Sequence, residues 1–181
     1  MTDSGEYGIR TGTYEEALTW LGRVSEPRTA DFPVELAAGR KFAAAVQDGN
    51  PLWWDSQVAD EVAGGAVVPP ATLMSWAVAH HWLPEVMRRP AVGTFLITVP
   101  LPGESMINVH NEIEFFDHLR VGDQLTVTEV VESISTEKTT GAGRGHFLTV
   151  AAWYRRSNGE PVAMVRNVIL RICLERTDHG S

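Results

Sequence analysis

The residues whose types could do chemistry crowd into one stretch, Val46 to Ala59, where Asp48, Asn50, Pro51, Trp53 and Trp54 follow directly on a helix-patterned segment. A carboxylate can take or deliver a proton, an amide can orient a ligand, and an indole offers one N–H on a large apolar ring. The residues alone also permit a plainer reading. Asp48-Gly49-Asn50-Pro51 is a turn sequence, because the position before a proline is pushed out of the helical region and Asp bonds the amides that follow it. Asp48 therefore reads first as a turn residue and second as a catalytic acid, and the tryptophans read as core or interface.

The other candidates carry less. His110 stands beside Glu112 on the more polar face of an alternating segment, where a solvated or hydrogen-bonded histidine precedes a functional one. His80 and His81 are adjacent, so on a helix they point about a quarter turn apart and cannot chelate one metal together. His118 and His146 fall near strand ends with no recognisable constellation, and Gly141-x-Gly143-x-Gly145 lacks the following helix that a phosphate loop needs. No Gly-x-Ser-x-Gly elbow is present. Cys173 is the single cysteine, which excludes an internal disulfide and a multi-cysteine metal site; its apolar run predicts a buried, inert thiol.

Around these residues the first half of the chain is patterned as helix and the second as strand. Thr13 and Glu16 have the spacing of a capping box before Ala17, Leu18 and Leu21. A second helix is expected from Pro33 to Val46 with Phe42, Ala45 and Val46 toward the core, and Asp55 should cap a short one that Gly64-Gly65 breaks. Ala71 to Leu83, entered through Pro69-Pro70 and ended by Pro84, is apolar nearly all round and predicts a central buried helix. From Thr94 the period becomes two, predicting strands at Thr94–Val99, Ile107–Phe116, Gln124–Ser133, His146–Arg156 and Pro161–Leu174. Asn158-Gly159 marks a two-residue hairpin, and the Gly141 to Gly145 run a loose connection. One long helix followed by long antiparallel strands makes an α+β domain in which the sheet can wrap the helix.

A chain of 181 residues, 44% hydrophobic and 21% charged, holds one such domain over 1–181, with a helical lead-in over about 1–30. The net charge of −8 with no basic block argues against nucleic acid, and no apolar stretch reaches the roughly 20 residues of a membrane helix. The first residues lack the basic start and apolar run of a signal peptide, so a reducing, cytoplasmic setting is expected.

Asp48-Gly49-Asn50-Pro51-Leu52-Trp53, with Ala59 six positions later, resembles the signature of the MaoC-like (R)-specific enoyl-thioester hydratases: Asp-x-Asn-Pro-Leu-His, five residues, then Ala or Ser. Leu21-Gly22-Arg23-Val24-Ser25-Glu26 resembles the lead-in of the dehydratase-like members related to a domain of fungal fatty-acid synthase. His110-x-Glu112-x-Glu114-Phe115, Leu119-Arg120-Val121-Gly122-Asp123 and Asn158-Gly159-Glu160 extend the likeness along the chain. The resemblance implies a hot-dog fold, a long helix wrapped by an antiparallel sheet, in agreement with the pattern above. It also implies pairing with another hot-dog subunit, as homo- or hetero-oligomer, and an acyl thioester of coenzyme A or acyl-carrier protein as ligand. No metal or organic cofactor is implied.

Hydration of an enoyl thioester needs a base for the water's proton, an acid for the α-carbon and N–H donors for the developing enolate oxygen. In active members an Asp and a His share the proton work. The place of that His is Trp53 here, and indole has no basic nitrogen at neutral pH. Active members also often begin the long helix with His-Gly, whose glycine N–H polarises the carbonyl. The corresponding pair is Pro69-Pro70, and proline has no N–H. Losing such a donor costs about 10² to 10³ in rate, and losing a general base about 10² to 10⁴. The expectation is a non-catalytic half of a hydratase pair, which keeps Asp48 in a residual or ancestral role. Asn50, Trp53, Trp54, Pro70 and Trp76 would shape the acyl pocket, and Trp82 would join the pocket or the interface. Three alternatives stand beside it: a self-sufficient hydratase in which Asp48 works with a displaced histidine such as His110, an acyl-thioester-binding module without chemistry, and a hot-dog thioesterase.

Overall fold

The computed structural model describes residues 8–77 and 93–173. Its first helix, α1 (Tyr14–Leu18), starts at the capping box: Thr13 Oγ1 accepts the Glu16 amide at 3.1 Å, and the Glu16 carboxylate accepts the Thr13 amide at 2.8 Å. A two-residue strand, β1 (Arg28–Thr29), follows.

The second helix, α2 (Leu36–Ala45), packs through Gly39 and Ala43 rather than through Phe42, Ala45 and Val46. Val46 is 55% exposed. The cause is close approach. A Cβ on Gly39 would lie 2.4 Å from Val68 Cγ1, so only the smallest residues, one helical turn apart, fit the contact face.

Two short helices come next, α3 (Pro51–Trp54) and α4 (Ser56–Ala63). Asp55 caps α4 through the amides of Gln57 (2.9 Å) and Val58 (3.4 Å), and Gly64 ends it at φ 69°. The chain then enters β2 (Val67–Val68), a 3₁₀ turn (Pro70–Thr72) and α5 (Leu73–Ala77), where Leu73 and Trp76 are buried and Met74 is exposed. The rest of the helix expected over 71–83, with His80, His81 and Trp82, lies outside the described residues.

Thr94 to Val99 is not a strand. It forms one helical turn, α6 (Phe95–Thr98), because two of its unpaired first-turn amides find side-chain acceptors. Thr94 Oγ1 takes Leu96 N–H at 3.3 Å, and the Glu129 carboxylate takes Phe95 N–H at 2.5 Å. That second acceptor comes from a distant strand, which local β-propensity cannot anticipate.

The remaining strands are β3 (Ser105–Phe115), β4 (Leu119–Arg120), β5 (Leu125–Ile134), β6 (Lys138–Thr140), β7 (Gly143–Arg156) and β8 (Pro161–Ile172). The main sheet is antiparallel in the order β1-β5-β7-β8-β3, and β6 hangs on β7. Gly141 therefore belongs to a tight β6–β7 hairpin, with Thr140 across from Gly143, instead of a loose connection. The Asn158-Gly159 hairpin has a three-residue loop, Arg156 N–H bonding Glu160 O at 2.9 Å, with Gly159 at φ 89°.

One face of the sheet makes the core. Leu148, Val150, Ala152 and Tyr154 of β7 alternate inward beside Val165 and Ile169 of β8. Trp76 and Leu73 cover one half of that face, while Ala17 and Phe95 cover the other. Each buried Leu, Val, Ile or Phe among them contributes about 1.5–3 kcal/mol. Arg171 on β8 is fully buried; its guanidinium donates to the carbonyls of Gly103 (2.8 Å) and Arg10 (2.9 Å), lashing the chain start and the segment after α6 to the sheet. Cys173 just past β8 is exposed, against the expectation of burial, because the strand ends one residue earlier.

Candidate functional site

Asp48, Asn50, Trp53 and Trp54 are tied to one another and to their own backbone by hydrogen bonds. Gln47 adopts a left-handed φ of 56° and turns the chain out of α2, while Asp48 N–H bonds Ala43 O at 2.8 Å. Asp48 Oδ1 accepts Asn50 N–H at 3.0 Å, and Asn50 Oδ1 accepts Leu52 N–H at 3.0 Å, which caps α3 with Pro51 in its first turn. α3 then swings Trp53 back. Its indole N–H donates to Asp48 Oδ2 at 2.8 Å, so both oxygens of the carboxylate hold donors from their own segment. The Trp54 N–H donates to the Asp48 carbonyl at 2.8 Å. From α2, Arg40 Nε donates to Trp53 O at 2.9 Å, and its guanidinium lies 5.9 Å from the centre of the Trp54 ring.

Trp53 is buried against Ala43, Ala63 and Val67, yet one edge of it faces a cleft of about 440 Å³. Val68 and Pro70 share that wall. The opposite wall is the chain leaving β3, with Phe115, Phe116, His118 and Leu119 beside Asp117. Antiparallel pairing of β2 with β4 brings the walls together, Val67 across from Arg120 and Val68 across from Leu119. The chain running on to Pro69-Pro70 thus passes the chain arriving through Asp117 and His118. The Arg120 guanidinium donates to the Ala63 carbonyl and locks this corner to α4. Phe116 stacks on Trp153 with ring centres 5.7 Å apart.

Asp117 is the charged end of the cleft. Burial pulls its carboxyl upward, but the His118 amide (2.7 Å) and the guanidiniums of Arg156 (3.0 Å) and Arg120 (3.4 Å) outweigh that and hold it below the usual carboxylate range. Arg156 also pairs with Asp123 at 3.0 Å and donates to the His118 carbonyl at 2.8 Å.

The structure thus gathers Asp48, Asn50, Trp53 and Trp54 in one hydrogen-bonded unit and sets Pro70 beside Trp53 on the same cleft wall. Trp76 is buried in the core beside Leu73. His110 is elsewhere: exposed, paired with Val168, and five residues from Phe115, hence on the other face of β3 about 16 Å along the strand. His118 is the histidine that reaches the cleft, and sequence reasoning passed over it. Its position depends on the β2–β4 pairing, which joins segments some fifty residues apart and leaves no local signal. Among the described residues, no three His, Cys, Asp or Glu side chains gather as metal ligands, and no helix is long and apolar enough to cross a membrane.

Comparison with known proteins agrees with the fold. A sequence model described as "FAS1-like, dehydratase domain region" matches residues 19–165. The protein named "Probable enoyl-CoA hydratase alpha subunit" of Thermomonospora curvata is 34% identical over 171 residues, 91% of this chain and 54% of that relative. The chain therefore spans about half the length of this relative. Among solved structures, the ChsH1-ChsH2 complex from Mycobacterium tuberculosis has a chain that superposes with a TM-score of 0.69 at 21% identity, covering 88% of this chain and 95% of that one. The (R)-hydratase from A. caviae involved in PHA biosynthesis gives 0.52 at 20% identity, covering 82% and 94%. These superpositions show the hot-dog fold.

Proposed function

The chain belongs to the FAS1-like dehydratase family, which includes enoyl-CoA hydratases, and on that premise we propose that it is the non-catalytic, pocket-shaping half of a heteromeric enoyl-thioester hydratase or 3-hydroxyacyl-thioester dehydratase. The observation that carries the reading is the bond from Trp53 Nε1 to Asp48 Oδ2 at 2.8 Å. Adding water to the β-carbon requires a carboxylate or imidazole with a free lone pair to receive the water's proton. Here each oxygen of the carboxylate already accepts a donor from its own segment, and the position that would carry imidazole carries an indole, which cannot accept a proton at neutral pH. Pro70, at the start of the helix that should polarise the thioester carbonyl, has no N–H to give.

What remains is a wall of Trp53, Val68, Pro70, Phe115, Phe116 and Leu119, suited to a bulky apolar acyl group. The catalytic Asp/His dyad would come from a second hot-dog subunit. An open edge favours such a partner: β3 is bonded only to β8 among the described strands and exposes Ile107, Val109 and Ile113. The alpha-subunit designation of the Thermomonospora curvata relative, and the two-component Mycobacterium tuberculosis complex, fit the same arrangement.

The test is loss of the conjugated enoyl absorbance of short, long and polycyclic enoyl-CoA substrates. The chain alone is expected to be silent, and activity is expected on co-expression with a dyad-bearing hot-dog protein. Robust turnover by the chain alone refutes the reading.

A further inference from the structure

We propose that the His118 imidazole is the ligand-contacting donor of the cleft, binding the carbonyl oxygen of an acyl thioester where Pro70 offers no N–H. The inference rests on the acyl-thioester reading above and adds a residue that the family signature does not contain.

It follows from an inventory of polar groups around the cleft. Among the described residues, three side chains there carry polar atoms: Trp53, Asp117 and His118. The Trp53 N–H is committed to Asp48. The Asp117 carboxylate is committed to Arg156, Arg120 and the His118 amide. The backbone amides of Trp53, Phe116, Asp117 and His118 are each bonded within the chain, and Pro70 has none. The His118 ring makes no hydrogen bond among the described residues. Among the described residues it is thus the one polar side chain of the cleft whose ring atoms have no partner. A ligand oxygen entering this apolar space without a partner would lose its hydration uncompensated, so a donor in such a wall decides how the ligand sits.

The backbone that carries the ring is also held in place. It is pinned on both sides, N–H to Asp117 Oδ1 at 2.7 Å and carbonyl from Arg156 Nη2 at 2.8 Å, and Asp117 and Arg156 are themselves paired. The β2–β4 register carries it past Pro69-Pro70, the point where the helix begins. Imidazole keeps at least one N–H whether neutral or protonated, so donation does not depend on its charge. No bond is made or broken at His118; the residue positions and polarises a carbonyl.

The experiment uses the full chain and hexanoyl-CoA labelled with ¹³C at the thioester carbonyl. Binding is followed by tryptophan fluorescence, and the carbonyl stretch by isotope-edited difference infrared spectroscopy. Wild type is expected to bind and to shift the bound carbonyl to lower frequency. His118→Phe, which keeps an aromatic ring without a donor, should lose the shift and weaken binding tenfold or more; His118→Gln, which restores an N–H donor, should recover part of both. An unchanged shift and affinity in His118→Phe overturns the role of His118 and leaves the acyl-thioester reading standing. No binding by wild type removes that reading and the inference with it.

Discussion

The indole N–H of Trp53 lies 2.8 Å from Oδ2 of Asp48, while Oδ1 of the same carboxylate holds the Asn50 amide at 3.0 Å. The carboxylate thereby serves as a two-sided cap of its own turn. On the proposed reading, indole in place of imidazole does two things at once: it removes a proton acceptor and it sets an N–H donor on the neighbouring carboxylate.

If that bond stabilises the turn, Trp53→Phe should lower stability by about 2 kcal/mol, the range for a hydrogen bond to a charged group, with some lost ring area added. Urea unfolding followed by circular dichroism reads it. Trp54→Phe, whose partner is a neutral backbone carbonyl, should cost about half as much.

Arg171 should be among the most sensitive positions in the chain. Arg171→Met fills the space but leaves the Gly103 and Arg10 carbonyls without their donor, at about 1–3 kcal/mol for each carbonyl that stays buried. Guanidinium unfolding should show a midpoint far below wild type, and Arg171→Lys, with no planar fork to span several carbonyls, should fall between the two.

Gly39 and Gly49 form a matched pair for the cleft wall. A Cβ at Gly39 meets Val68 Cγ1 at 2.4 Å, whereas one at Gly49 meets nothing within 4 Å. Gly39→Ala should cost about 1–3 kcal/mol by overpacking and displace Val68 and Pro70, weakening acyl-CoA binding. Gly49→Ala should leave both stability and binding near wild type.

The corner around Asp117 carries a pH signature. Its carboxyl is held below its unfolded value of 3.8, so the ionised form is favoured by folding. The stability this adds is present above the unfolded value and lost as pH falls through the lower, folded one. Thermal unfolding of wild type and Asp117→Asn should therefore differ at neutral pH and converge at acid pH below the carboxylate range. A gap that persists there contradicts the ion-pair origin.

Much of this architecture was legible from local chemistry. Thr13 and Glu16 announced their capping box, Asp55 its cap, and the period of two laid out the four long strands of the sheet. Three of the failures share one cause, a partner far away in sequence. Phe95 to Thr98 looked like a strand until Glu129 supplied an acceptor to its first turn. α2 turned Gly39 and Ala43 inward because Val68 left no room for larger side chains. The signature segment was readable because its bonds are local, Asp48 to Trp53 within six residues. His118 was not, because only the pairing of Val68 with Leu119 brings it to the cleft.

The central claim is that Asp48 transfers no proton, and Asp48→Asn in the assembled pair tests it most directly. Asparagine keeps an oxygen to accept a donor from the turn while removing the carboxylate's basicity. With this chain and a dyad-bearing hot-dog subunit co-expressed, turnover of an enoyl-CoA by Asp48→Asn should stay within about twofold of wild type, and the equivalent Asp→Asn change in the dyad-bearing subunit should abolish it. A loss of about 10² or more from Asp48→Asn, the scale of general acid–base catalysis, would make Asp48 a working catalyst and contradict the account.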